Sequence, residues 1–106
     1  MANILVVASL RGEREVSVVK QILERHKGDS VWLVVDRETA KLLAKLEASL
    51  MRGVNVLVFA GKKPEEYALK VYKAAVPDIV YLCDKRSALR ALVDFLKVAP
   101  VELVEC

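Results

Sequence analysis

Five short runs along the chain are almost unbroken in apolar residues: NILVVAS at 3–9, VWLVVD at 31–36, NVLVFAG at 55–61, DIVYLCD at 78–84 and VELVEC at 101–106. Such continuous, Val-rich apolarity marks strands buried on both faces, as a parallel sheet covered by helices requires, whereas half-buried strands alternate. Between the runs the period changes to that of a helix. Val16, Val19, Ile22 and Leu23 recur at intervals of three and four, and Leu43, Leu46 and Leu50 do the same on one side of a charged stretch. A third helix is predicted to open at Pro64, with Glu65 and Glu66 near its positive end and Ala68, Val71, Tyr72 and Ala75 facing inward. A fourth is predicted from Lys85 to Val98 through Ala88, Leu89, Leu92, Val93 and Leu96. Gly28, Gly53, Pro77 and Pro100 punctuate the helix ends.

The resulting order β-α-β-α-β-α-β-α-β predicts an α/β fold, a three-layer doubly wound sandwich around a five-stranded parallel sheet. The connections are short and leave no linker or repeat, so residues 1–106 form a single domain. With right-handed crossovers, the flavodoxin-like strand order 2-1-3-4-5 is the expected arrangement.

Open parallel sheets bind ligands outside the carboxyl ends of their strands, where the strand order reverses. In the expected order that point lies between the first and third strands. The loops there contribute Ser9, Arg11, Gly12, Arg14, Gly61, Lys62 and Lys63, and Lys85 and Arg86 follow the fourth strand on the same rim. Basic residues gather on this rim, whereas the opposite rim carries chiefly Lys27 and Arg52. Arg37, Lys85 and Arg86 sit at helix starts, where positive charge opposes the macrodipole; a bound anion would offset that. Asp36 and Asp84 read as helix N-caps.

Composition narrows the function. Net charge is only +3, which does not favour a dedicated nucleic-acid binder, and the apolar runs fall far short of the roughly 20 residues that span a bilayer. A cytoplasmic protein with no membrane association is expected. One Gln, two Asn and many charged residues resemble thermophile composition.

No GxGxxG follows the first strand and no GxxxxGK[ST] is present, so no nucleotide-cofactor fingerprint exists and no cofactor or metal is expected. The first and third strands end at Ser9 and Gly61, where a response-regulator receiver, similar in size and expected order, needs carboxylates. His26, the only histidine, lies about a helix length (~20 Å) from Ser9 and reads as a favourable group at a helix C-terminus. Cys83 reads as a packing residue of a buried strand. It would approach Cys106 on the same rim if the last two strands are neighbours, although a disulfide across adjacent strands makes demanding geometry.

These features predict a ligand-binding or sensory domain for a phosphorylated or otherwise anionic small molecule, such as a nucleotide. The alternatives are an enzyme acting on a phosphate-bearing substrate, through Ser9, Glu13 or Asp84, and a protein interaction module without a small ligand. Leu42, Met51, Tyr67, Leu69 and Phe95 fall outside the narrow inward stripes, which suggests a subunit contact in a homodimer.

Overall fold

The computed structural model describes residues 2–46, 48–59, 64–84 and 101–106. The first strand, β1 (Asn3–Ser9), is the most completely enclosed, with Ile4 through Ala8 fully buried. Helix α1 (Glu13–Arg25) buries Val19, Ile22 and Leu23, the stripe its spacing predicts, and ends at a turn in which Gly28 takes φ +92°, a conformation that disfavours any side chain. β2 (Ser30–Val35) leads to Asp36, whose carboxylate accepts the Thr39 N–H and so caps α2 (Arg37–Leu43) as expected.

The single helix expected through Leu50 is instead broken. Leu46 N–H donates to the Leu43 carbonyl (3.0 Å), an i to i−3 bond that tightens the last turn of α2, and a short α3 (Ala48–Met51) follows. No Gly or Pro lies in this stretch, and Leu43 and Leu50, on either side of the break, enter the same core. Gly53, at φ +78°, then turns the chain into β3 (Val54–Val58). α4 (Pro64–Ala75), β4 (Ile79–Asp84) and β5 (Glu102–Glu105) complete the described elements. The helix expected over 85–98 lies outside the described residues.

All five strands are parallel, in the order β3-β2-β1-β4-β5. This corrects the expected 2-1-3-4-5: β3 lies outside β2 at the sheet edge, and β4 takes the place beside β1. The chain winds outward from β1 through β2 to β3, with α1, α2 and α3 all feeding one core that includes Ile4, Val6, Ala8, Leu33 and Tyr81. It then returns past β1, and Val71 of α4 packs with Leu5, Val7, Val80 and Leu82 on the other face. Both orders bury the same runs, so hydrophobic periodicity does not choose between them. Among the described residues no helix is long and apolar enough to cross a membrane.

Candidate functional site

The observed order moves the reversal point to the boundary of β1 and β4, because β2 and β3 lie on one side of β1 and β4 and β5 on the other. The loop leaving β1 keeps its central place. β3 is two strand spacings from β1, about 10 Å, on the side away from the reversal, so the end of β3 does not border that crevice. Gly61, Lys62 and Lys63 after β3, and Lys85 and Arg86 after β4, lie outside the described residues.

Where β1 ends, a chain of short hydrogen bonds stitches it to α2. Ser9 Oγ donates to Asp36 Oδ2 (2.8 Å), Asp36 Oδ1 accepts the Thr39 N–H (2.8 Å), and Thr39 Oγ1 accepts the Leu10 N–H (2.9 Å). Ser9 and Thr39 are both 0% exposed. Ser9 therefore acts as a buried strut, and no substrate atom can reach its hydroxyl in this arrangement.

At the start of α1 the chain supplies its own anion. Glu15 Oε1 accepts the N–H of Arg11, the residue before the N-cap Gly12 (3.2 Å), while Glu15 Oε2 is buried with no hydrogen-bond partner. This carboxylate lies over the loop amide that a bound phosphate would use. Gly12 has extended φ (−166°), open to any residue, and a Cβ there would meet nothing within 4 Å, so neither backbone nor space demands glycine. Arg14 is exposed, and its carbonyl accepts Ser17 Oγ–H.

Arg11 turns instead toward α2. Together with Leu10, Glu38, Lys41, Leu42 and Lys45 it lines an open cleft of ≈ 280 Å³ on the carboxyl-end rim. Lys41 lies in the last turn of α2 and Lys45 just past its C-cap Ala44, and Lys45 Nζ meets Glu13 Oε1 (3.2 Å), an exposed pair that contributes little to stability. Arg11 was expected at the rim; Lys41 and Lys45 were not, since a basic i, i+4 pair ordinarily reads as a solvated helix face.

The opposite rim holds a second polar junction. His26 Nδ1 lies 2.9 Å from Asp29 Oδ2, and His26 Nε2 lies 2.8 Å from the hydroxyl of Tyr81, which is 6% exposed. A carboxylate only accepts, so in neutral His26 Nδ1–H donates to Asp29 and the Tyr81 hydroxyl donates to Nε2. His26 thus ties the end of α1 to β4 rather than merely serving the helix C-terminus.

The Ala2 N–H bonded to Asp29 Oδ1 and, next, the His26 hydrogen bond hold the Asp29 carboxyl below its ordinary pKa. Because the folded value is depressed, its contribution to stability is complete above the unfolded pKa of about 3.9 and is lost as pH falls through the lower folded value. Asp29→Asn is expected to flatten the acid limb of the stability curve while changing little of its shape near neutrality, read from urea midpoints across the acid range.

Cys83 and Cys106 are joined in a disulfide across β4 and β5, with Cα atoms 4.9 Å apart, inside the range such a bond spans. Comparison with protein-family models, with curated proteins and with solved structures finds no match to this chain.

Proposed function

We propose that this chain is a ligand-binding α/β module whose carboxyl-end rim takes a small anionic molecule bearing a phosphate. The cleft between the β1 exit and α2 carries this reading: it is lined by Arg11, Lys41 and Lys45 against one carboxylate, Glu38, beside the apolar Leu10 and Leu42, so one cavity offers net positive charge for a phosphate, which would compete with Glu13 for Lys45, and an apolar seat for the rest. Its volume suits a sugar phosphate or part of a nucleotide. In this reading exposed Arg14 extends the basic rim and draws anions toward it, and Lys62, Lys63, Lys85 and Arg86, outside the described residues, follow β3 and β4 in the sequence. Binding is favoured over catalysis because Ser9 is buried on Asp36 and Glu13 is engaged by Lys45. An intracellular, thermophilic setting fits both the amide-poor composition and a disulfide, which hyperthermophiles carry inside the cell.

Thermal unfolding against a panel of nucleotides, sugar phosphates and their unphosphorylated counterparts tests it. A phosphorylated compound at ten times its Kd is expected to stabilise by about 1.4 kcal/mol, a rise of roughly 6 °C for a domain of this size, with the unphosphorylated counterpart giving none. Lys41→Glu should weaken binding at least about tenfold. A flat response across the panel would sink the proposal.

A further inference from the structure

Val56 and Val58 are 42% and 44% exposed on β3, the strand that ends the sheet beyond β2. The Phe59 N–H donates to the Val35 carbonyl (2.7 Å), and β2 and β3 stay in unbroken parallel register from Val31↔Val54 to Val35↔Val58. Alternate residues of a parallel strand bond to opposite neighbours. Asn55 and Leu57 therefore share the side of Phe59 and face β2, while the backbone N–H and C=O groups of Val54, Val56 and Val58 point out of the sheet.

Exposed edges are normally guarded by charge, proline or a bulge. The opposite edge follows that rule, since β5 places exposed Glu102 and Glu105 at its two ends. β3, with the sequence VNVLV, has no charge and no proline, and its register shows no bulge. Beside it the break between α2 and α3 leaves a groove of ≈ 340 Å³ lined only by Ala, Leu, Met and Val side chains, Val56 among them. Of the off-stripe residues expected to form a subunit contact, Leu42, Met51 and Tyr67 pack against the cores and Leu69 on α4 is exposed; Phe95 lies outside the described residues.

We propose that a second copy of this chain occupies the β3 edge, with the two β3 strands antiparallel across a two-fold axis at Val56, so that two five-stranded sheets become one. The outward row is its own complement. Val56 lies opposite the partner's Val56 and Val54 opposite the partner's Val58, and the outward N–H and C=O groups then form about six hydrogen bonds. A residue on a two-fold axis meets its own copy, so a charge there would repel itself; residues 53–59 contain no ionisable side chain. The proposal is independent of the anion-binding reading.

Sedimentation of the whole chain over a dilution series tests it, with hydrogen exchange at Val56 and Val58 as a second readout. Twice the chain mass of 11.8 kDa is expected, with both amides protected. Val56→Lys sets two ammonium groups face to face on the axis and should raise the dissociation constant at least about a hundredfold, giving a folded monomer with rapidly exchanging Val58. Val58→Lys, which sets an ammonium group against the partner's Val54 at each end of the paired segment, is a second test should the first variant not fold. Leu69→Lys, at another exposed apolar position, is expected to remain dimeric. A wild type that stays monomeric throughout would overturn the proposal, as would dimers that survive both β3 substitutions.

Discussion

Reduction of the Cys83–Cys106 bond is expected to lower the stability of this protein by about 3.5 kcal/mol, since the cross-link closes a loop of 23 residues in the unfolded chain. For a domain of this size that corresponds to a fall in Tm on the order of 15 °C. β5 has the most to lose. It is a four-residue edge strand whose only strand neighbour is β4, held at its ends by Glu102 N–H on the Asp78 carbonyl and Cys106 N–H on the Leu82 carbonyl. Cys106→Ser isolates the effect, because Cys106 is exposed whereas Cys83 is buried and, as a thiol, still fills its place. Reduced wild type and untreated Cys106→Ser should melt together, well below oxidised wild type, and the variant should ignore reductant. Exchange at Leu103 and Val104 should accelerate in step. A wild-type Tm indifferent to reductant, or two alkylatable thiols without any reducing agent, would defeat the prediction.

The outcome for these cysteines shows which features of the chain could be read in advance. Both thiols end runs that are visibly strands, so their approach followed once β4 and β5 were taken as neighbours. The strands themselves were legible because burial on both faces leaves a continuous apolar record, and Gly28 and Gly53 marked turns that do require positive φ. Strand order was not legible: placing β3 beside β1 or beyond β2 buries the same Val and Leu side chains, and the difference lies in which edge meets solvent. The interruption after Leu43 left no local trace either, since nothing in KLLAKLEASL disfavours a helix. At the rim, Arg11 could be named from its loop. Lys41 and Lys45 could not, because their relation to Arg11 is made by the docking of α2 on the β1 exit. His26 does stand at the helix C-terminus as expected, but its partner Tyr81, 55 residues away, could not be named for the same reason.

That docking depends on Asp36. Asp36→Ala is expected to destabilise the protein by about 3 kcal/mol, combining the loss of an N-cap, typically about 1 kcal/mol, with the burial of an unpartnered Ser9 hydroxyl, about 1–3 kcal/mol. Asp36→Asn separates these causes from charge: its amide oxygen can still cap Thr39 N–H and its NH₂ can donate to Ser9 Oγ, so most of the stability should return. Thr39→Val probes the next link. It keeps the shape of a fully buried side chain but removes the acceptor for the Leu10 N–H, for an expected loss of about 2 kcal/mol. Because both substitutions open one chain of hydrogen bonds, the double variant should lose less than the sum of the two. Urea denaturation of the four proteins checks this, and an Asp36→Ala loss below about 0.5 kcal/mol would mean that the short contacts at the β1 exit do not hold it to α2. The same set bears on binding. Arg11 and Lys41 line the same cleft and the Leu10 N–H on Thr39 ties the residue before Arg11 to α2, so Thr39→Val should weaken any phosphate ligand without removing a single positive charge from the rim.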